Sequence, residues 1–318
     1  MGGATLGRLI LTFGFPLVLV ALVAGFTAAS PGFISPDNLV GLLHAMVPIT
    51  VIACGMAIVV MMGKLDISVG STAFVSMAAA GVLMTDYGWP VFPACLVAIA
   101  VGAVLGAFNG FVVVVLKVNA LIATLGSMIA FRGLALQITN SQVIVLPDEM
   151  RGFGNLMVGP VFADILFAFA ILIAIHILHR DTVFGRNATA IGNDEGTARR
   201  LGIPVDRTVF LGFVLAGVLA AIGGVFAAAQ VGSVTTFLGR GLEFTAVAVV
   251  VVGGISLFGG RGNVFWGVLL GALTFEVIRS GLNHVGANPY LYELIGGAVI
   301  FVAMWAAALK TPKGQAHG

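Results

Sequence analysis

Apolar residues fill this chain in long runs, separated by short polar or turn-forming breaks. A bilayer's hydrocarbon core is about 30 Å thick, so a crossing helix needs about 20 mainly apolar residues. Runs of that kind occupy residues 8–28, 43–62, 67–85, 91–115, 119–138, 161–179, 207–230, 242–258, 263–281 and 290–309. The pattern predicts an all-α polytopic membrane protein of about ten transmembrane helices, a single transmembrane domain over residues 1–318. The breaks carry turn chemistry: SPGFISPDN at 30–38, DYGWP at 86–90, FGGRGN at 258–263 and ANP at 287–289. The third and eighth runs are rich in Gly and Ser. They are read as possible re-entrant or broken helices, which are tolerated only where protein or water covers the backbone. The connection at 139–160 is long enough for a small surface helix outside the membrane. The first apolar run, Leu9 to Ala29, exceeds the core of a signal peptide and reads as a retained span.

Composition agrees. The chain is 59% hydrophobic and 9% charged with a mean hydropathy of +1.12, against about 25% charged residues in a soluble domain. A net charge of +2 gives no reason to expect nucleic acid as a partner. Where the basic residues fall matters more than their sum. An even number of spans puts both termini on one side. With that side cytoplasmic, it receives Arg8, Lys64, Lys117, Arg180, Arg186, Arg199, Arg200, Arg207, Arg261, Lys310 and Lys313, which is 11 of the 15 Lys and Arg. Arg132, Arg151, Arg240 and Arg279 make up the other four. The positive-inside rule therefore predicts cytoplasmic termini and makes 139–160 extracytoplasmic.

The longest polar interval, about 180–206, lies on the cytoplasmic side between the sixth and seventh spans. Its centre reads Gly192-Asn193-Asp194-Glu195-Gly196-Thr197-Ala198-Arg199-Arg200-Leu201-Gly202-Ile203-Pro204-Val205. Asn193 or Asp194 is an N-cap candidate, because its side-chain oxygen can accept an orphan backbone N–H. Glu195 and Arg199 pair at i, i+4 on one face. Gly202 suits the left-handed position past the helix end, and Pro204 stops continuation. Ala198, Leu201 and Ile203 give the charged helix an apolar edge suited to docking on another protein. The plain alternative is an ordinary basic cytoplasmic loop.

A second stretch, Gly63-Lys64-Leu65-Asp66-Ile67-Ser68-Val69-Gly70-Ser71, sets charges and hydroxyls at a helix junction. Asp66 is placed to cap the third span, and Ser68 and Ser71 point either toward a polar pathway or into a capped turn. Gly63-Lys64 lacks the spacing of a phosphate loop, so no nucleotide site is expected in this chain. Asp66, Ser68, Asn109, Asn119, Thr124, Gln137 and Gln230 are candidates to line a path for a neutral polyhydroxylated solute, or equally to bond helix to helix. Glu276 and Arg279 should neutralise each other, while Arg132, with no near partner in sequence, should snorkel outward. Gly102/Gly106 and Gly267/Gly271 read as intrachain packing positions. Cys54 and Cys95 form no disulfide framework. The five histidines form no metal-protease motif, no GxSxG nucleophile occurs, and no metal site is expected.

Taken together, MAIVVMMGKLDISVGS (56–71), LKVNALIATLGSMIAFRGL (116–134), TVFGRNATAIGNDEGTARRLGIPV (182–205) and VVVVGGISLFGGRGNVFWGVLLGAL (249–273) resemble the permease subunit of a sugar-type ABC importer. That family includes the ribose and autoinducer-2 permeases. The chain departs from it at Gly63-Lys64-Leu65-Asp66, Asn119-Ala120 and Gly192-Asn193-Asp194. The resemblance implies the ABC importer permease fold in a bacterial inner membrane, with the 192–205 helix docked in a groove of a separate cytoplasmic ATPase. It implies ATP and Mg on that ATPase and no cofactor on this chain. It also implies a second permease chain, identical or paralogous, and an extracytoplasmic sugar-binding protein. The competing reading is an ion-driven secondary transporter, which would need buried carboxylates near the midplane. A membrane scaffold with no solute path is a third.

Overall fold

In the computed structural model the described residues are predominantly helical. The structure describes residues 17–288, 291, 294–298 and 301. The start of the first apolar run and most of the tenth lie outside the described residues, with Arg8, Glu293, Lys310 and Lys313. Thirteen α-helices follow in order among the described residues up to 288: α1 (Leu17–Ala29), α2 (Pro36–Ala45), α3 (Val47–Met61), α4 (Val69–Thr85), α5 (Val91–Val114), α6 (Ala120–Ile138), α7 (Asp148–Gly154), α8 (Ala163–Asp181), α9 (Val183–Asn193), α10 (Glu195–Arg200), α11 (Val205–Val231), α12 (Leu242–Val252) and α13 (Val264–His284). Four two-residue strands form two small antiparallel pairs. β1 (Ile144–Val145) pairs with β4 (Ser233–Val234), and β2 (Met157–Val158) with β3 (Val161–Phe162).

Among the described residues five helices are long and apolar enough to cross a membrane: α5, α6, α8, α11 and α13. α2 and α3 meet the same test only as a pair, bent by 43° between Ala45 and Val47, which makes them a broken span or a re-entrant loop. Proline supplies the reason for the bend. Pro48 has no N–H for the carbonyl one turn back, that of His44. That carbonyl instead accepts a hydrogen bond from Gln230 Nε2 at 2.8 Å, so the break stays satisfied inside the bundle.

The two Gly- and Ser-rich runs are not full helical crossings. α4 begins only at Val69, after a non-helical stretch in which Asp66, Ile67 and Ser68 are buried. α12 has 11 residues, about 16 Å at 1.5 Å per residue. The segment before it carries Gly239 and Gly241 at φ +74° and +80°. Gly239 lies against the backbone of Gly70 at the start of α4, where a Cβ on either residue would collide. Each break thus covers the other's exposed backbone.

α11 is the hub and packs along α5, α3 and α4. The seams are made where one backbone meets another. A Cβ on Gly102 would collide with the Gly217 carbonyl, one on Gly217 with the Gly102 carbonyl, and one on Gly106 with the Phe213 carbonyl. The Gly267/Gly271 pair does the same work between α13 and α12, with Gly271 against the Val249 carbonyl. Both pairs are intrachain contacts, as read from the sequence. The 139–160 connection folds as a small helix, α7, seated on α11, with Gly154 against the Ala229 backbone.

Arg132 departs from the sequence reading. Its guanidinium turns inward, 5.1 Å from the Phe74 ring centre, and donates to the Leu238 carbonyl at 2.9 Å. The non-helical segment before α12 frees that carbonyl, and sequence spacing could not place it beside residue 132. Glu276 and Arg279 pair at 2.8 Å as expected.

Gly217→Ala should lower the thermal stability of the purified chain by about 1–3 kcal/mol through overpacking. Gly126→Ala, on a position of α6 open on all sides, should be neutral or stabilising by up to about 1 kcal/mol. Heating followed by gel filtration reads the order. The reverse order would refute the backbone seam as the source of stability.

Candidate functional site

The polar interval builds a helical hook at the end of the bundle where the basic residues gather. Only one short helix was expected there, but α9 precedes it. Thr182 caps α9 by accepting from Gly185 N at 3.3 Å, and Gly185, Ala188 and Ile191 form its buried face at helical spacing. α10 then runs from Glu195 to Arg200, capped by Asp194, whose Oδ1 accepts from Thr197 N. Gly202 adopts φ +78°, the left-handed position that ends the helix, and Pro204 precedes α11.

Three glycine-bearing turns that lie far apart in sequence meet under the hook. Met61, the last residue of α3, has a carbonyl with no partner inside its own helix. Gly260 N donates to it at 2.9 Å. Gly192 crosses so close above that a Cβ would strike the same carbonyl. Gly63, Gly259 and Gly260 all have positive φ, and Gly259 packs on Gly192 and Gly63. The GKLD turn, the FGGRGN turn and the GNDEG turn are therefore one junction.

A chain of ion pairs ties the hook to the spans. Lys64 Nζ meets Glu195 at 2.8 Å, Glu195 meets Arg199 at 3.1 Å, Arg199 also meets Asp206, and Lys117 meets Asp206 at 3.3 Å. Such partly exposed pairs contribute about 0–1 kcal/mol each. Their effect here is orientation. Burial alone would raise the Glu195 carboxyl, but Lys64 hydrogen-bonded beside it, with Arg199, holds it below the ordinary glutamate value. The Thr197 backbone N–H holds the Asp194 carboxyl down in the same way.

The apolar edge expected on α10 is divided. Ala198 is 2% exposed and faces this chain's own core, and Ile203 packs partly against it. Leu201 alone projects, at 74% exposed. The tight turn at Gly202 folds residue 203 back toward α11, which helical spacing alone does not reveal. The outward face includes Asn193, Asp194, Gly196, Thr197, Arg199, Arg200, Leu201 and Gly202.

The residues singled out as path candidates separate into groups. Asp66, Ser68, Asn109 and Thr124 join in one buried set between α4, α5 and α6. Asp66 Oδ1 accepts from Ser68 N at 2.9 Å and Ser68 Oγ at 2.6 Å, and Asn109 Nδ2 donates to Ser68 Oγ at 2.7 Å. Thr124 Oγ1 accepts from Ile67 N at 3.2 Å. Ser127, which the sequence reading passed over, donates to Asn109 Oδ1 at 2.6 Å. Its signal was available in the i, i+3 spacing from Thr124 on α6. Asn119 caps α6 through Leu121 N at 3.0 Å, and Gln137 is exposed on α6. Gln230 lies in a separate cluster with His44 and Asp164. It donates to Asp164 at 2.8 Å, and Asp164 also meets His44 Nδ1 at 2.9 Å. Three other buried oxygens find no partner among the described residues: Ser71 Oγ, Ser76 Oγ and Glu243 Oε2. Among the described residues no group of His, Cys, Asp and Glu is arranged to hold a metal ion.

The described residues thus form a helical bundle with broken spans and a helical hook at one end, an architecture suited to a membrane permease component. Residues 38–304 match the family described as branched-chain amino acid transport system / permease component, and the chain belongs to that family. It is 36% identical over 305 residues to the probable ABC transporter permease protein YphD of Escherichia coli, covering 94% of this chain and 90% of that one. It is 37% identical over 290 residues to the autoinducer 2 import system permease protein LsrC of an Enterobacter species, covering 89% and 82%. It is 32% identical over 311 residues to the ribose import permease protein RbsC of Haemophilus influenzae, covering 95% and 94%.

A double-mutant cycle on Lys64→Ala and Glu195→Ala should give a coupling of about 0.5–1 kcal/mol, read as hydrogen-exchange protection of α10. Because Glu195 is depressed in the folded chain, the coupling should be fully present above the ordinary value of about 4.3 and fade as pH falls through the depressed one. A cycle that is flat at neutral pH would remove the pair from any role in holding α10.

Proposed function

We propose that this chain is the transmembrane permease of an ATP-driven importer for a small sugar or polyol, in a bacterial inner membrane. The observation that carries the reading is the hook. Its base is locked to this chain by glycine contacts and ion pairs, while its outer face stays exposed. A helix held that firmly transmits force from a partner instead of absorbing it. The partner is a cytoplasmic ATPase that holds ATP and Mg. Gly192, Asn193, Asp194, Glu195, Ala198, Arg199, Arg200, Leu201, Gly202 and Ile203 form the coupling element. Leu201, Arg200 and Thr197 are its contact points, and the remaining residues hold its shape.

The substrate class rests on the relatives, two of which are import permeases for ribose and autoinducer 2. Two permease chains enclose the path, an extracytoplasmic binding protein delivers the solute, and the hook end faces the cytoplasm, as the distribution of Lys and Arg favours. The path runs beside the breaks at α4 and α12. There Ser71, Ser76 and Glu243 retain hydrogen-bonding capacity, and a hydroxylated solute can use it. Closure of the ATPase pair moves the two hooks, and the spans follow as rigid bodies to switch access.

Reconstituted with its ATPase and binding protein, the permease should take up sugar only with ATP and should be indifferent to an ionophore. Uptake by the permease alone, collapsed by an ionophore, would replace this reading with ion-coupled transport. Gly202→Pro, which cannot adopt the positive φ, and Glu195→Ala should leave the chain in the membrane but uncouple hydrolysis from uptake. Normal uptake with normal ATPase stoichiometry in both variants would strip the hook of its role.

A further inference from the structure

An open pocket of about 290 Å³ lies where α8 turns into α9. His176, His179 and Arg180 of α8 line one side, Arg186 and Thr189 of α9 another, and Gly262 and Asn263 at the start of α13 a third. No carboxylate lines it. Arg180 meets no acid among the described residues, and Arg186 makes a single long bond of 3.4 Å to the Asp181 carbonyl. His179 Nε2 lies 3.1 Å from Thr189 Oγ1. His176 Nδ1 is buried with no hydrogen-bond partner among the described residues. The N-terminus of α13, a 21-residue helix, adds its positive end. Cations and N–H donors without an anion form a site for one. The planar fork of arginine fits the oxygens of phosphate in particular. At about 30 Å³ per water the space holds a phosphodiester with room to spare.

The surroundings identify the source of that phosphate. Leu166, Phe169, Ile173 and Ile177 are 39–50% exposed and lie on one face of α8. Arg180 continues that face by three residues. An exposed apolar stripe thus ends at the mouth of a basic pocket. Trp266, 56% exposed on the first turn of α13, sits beside it as tryptophans do at headgroup level. We propose that the pocket binds the phosphate of an anionic glycerophospholipid, whose acyl chains lie along the Leu166–Ile177 face of α8. The bound lipid fastens the elbow from which the hook leaves the membrane. This inference is independent of the solute the chain carries.

Native mass spectrometry of the full-length chain in neutral detergent, titrated with phosphatidylglycerol or phosphatidylcholine, tests it. Phosphatidylglycerol should bind more tightly than phosphatidylcholine. Its affinity should fall roughly fivefold in Arg180→Gln or Arg186→Gln and roughly 25-fold in the double variant, at about one surface arginine's worth of lipid attraction each. Arg186→Lys keeps the charge but not the fork and should bind more tightly than Arg186→Gln yet more weakly than the unaltered chain, which separates loss of the site from loss of the fold. Equal affinity for the two lipids, or an unchanged double variant, would overturn the proposal. Displacement of phosphatidylglycerol by millimolar inorganic phosphate, with phosphate itself retained on the protein, would assign the pocket to a soluble anion and overturn the lipid assignment.

Discussion

Hydrocarbon gives no reward for pressing one apolar helix against another, so this bundle holds together by how closely its backbones approach. The decisive contacts are those in which a Cβ has no room. Gly102 and Gly217 face each other's carbonyls, Gly106 faces Phe213, and Gly154 faces Ala229. α11 takes part in each of these three, which is why its middle carries Gly212, Gly217, Gly223 and Gly224 among alanines. Dispersion falls steeply with distance, so a gap of even half an ångström along such a seam forfeits much of its attraction.

The same constraint governs the basic end. The hook is anchored because Gly192, Gly259 and Gly260 let three chain segments share the space around the Met61 carbonyl. Ion pairs around that point are individually weak, yet they link both flanking turns to α10. Short-range packing sets the position of the hook, and charge sets its orientation. The result is a hook with little freedom of its own, fixed through α9 to α3, α8 and α11.

The interior breaks follow from a second requirement, that no backbone polar group be left bare at membrane depth. The non-helical residues before α4 are covered by the segment before α12, and the carbonyl freed by Pro48 is met by Gln230. Arg132 satisfies Leu238 O from across the bundle. The polar side chains buried there thus serve mainly to complete interrupted helices. The few oxygens left over, on Ser71, Ser76 and Glu243, stand next to those interruptions in the chain.

Much of this was legible along the chain, because a helix that crosses lipid must be apolar over a length set by the bilayer, and caps act within a few residues. The long helices, Asp194 as a cap, Gly202 as a stop, the Glu195–Arg199 pair and the Glu276–Arg279 pair are all local and could be read in order. α9 was missed because its buried face is only Gly185, Ala188 and Ile191, too small to stand out in a polar interval. What lies beyond local reach had to await the tertiary fold. Lys64 meets Glu195 across 131 positions, His44 meets Asp164 across 120, and Gly192 meets Gly260 beneath the hook. Sequence spacing reports neighbours along a helix, whereas those meetings depend on which helices lie side by side. That is decided by where backbone can touch backbone.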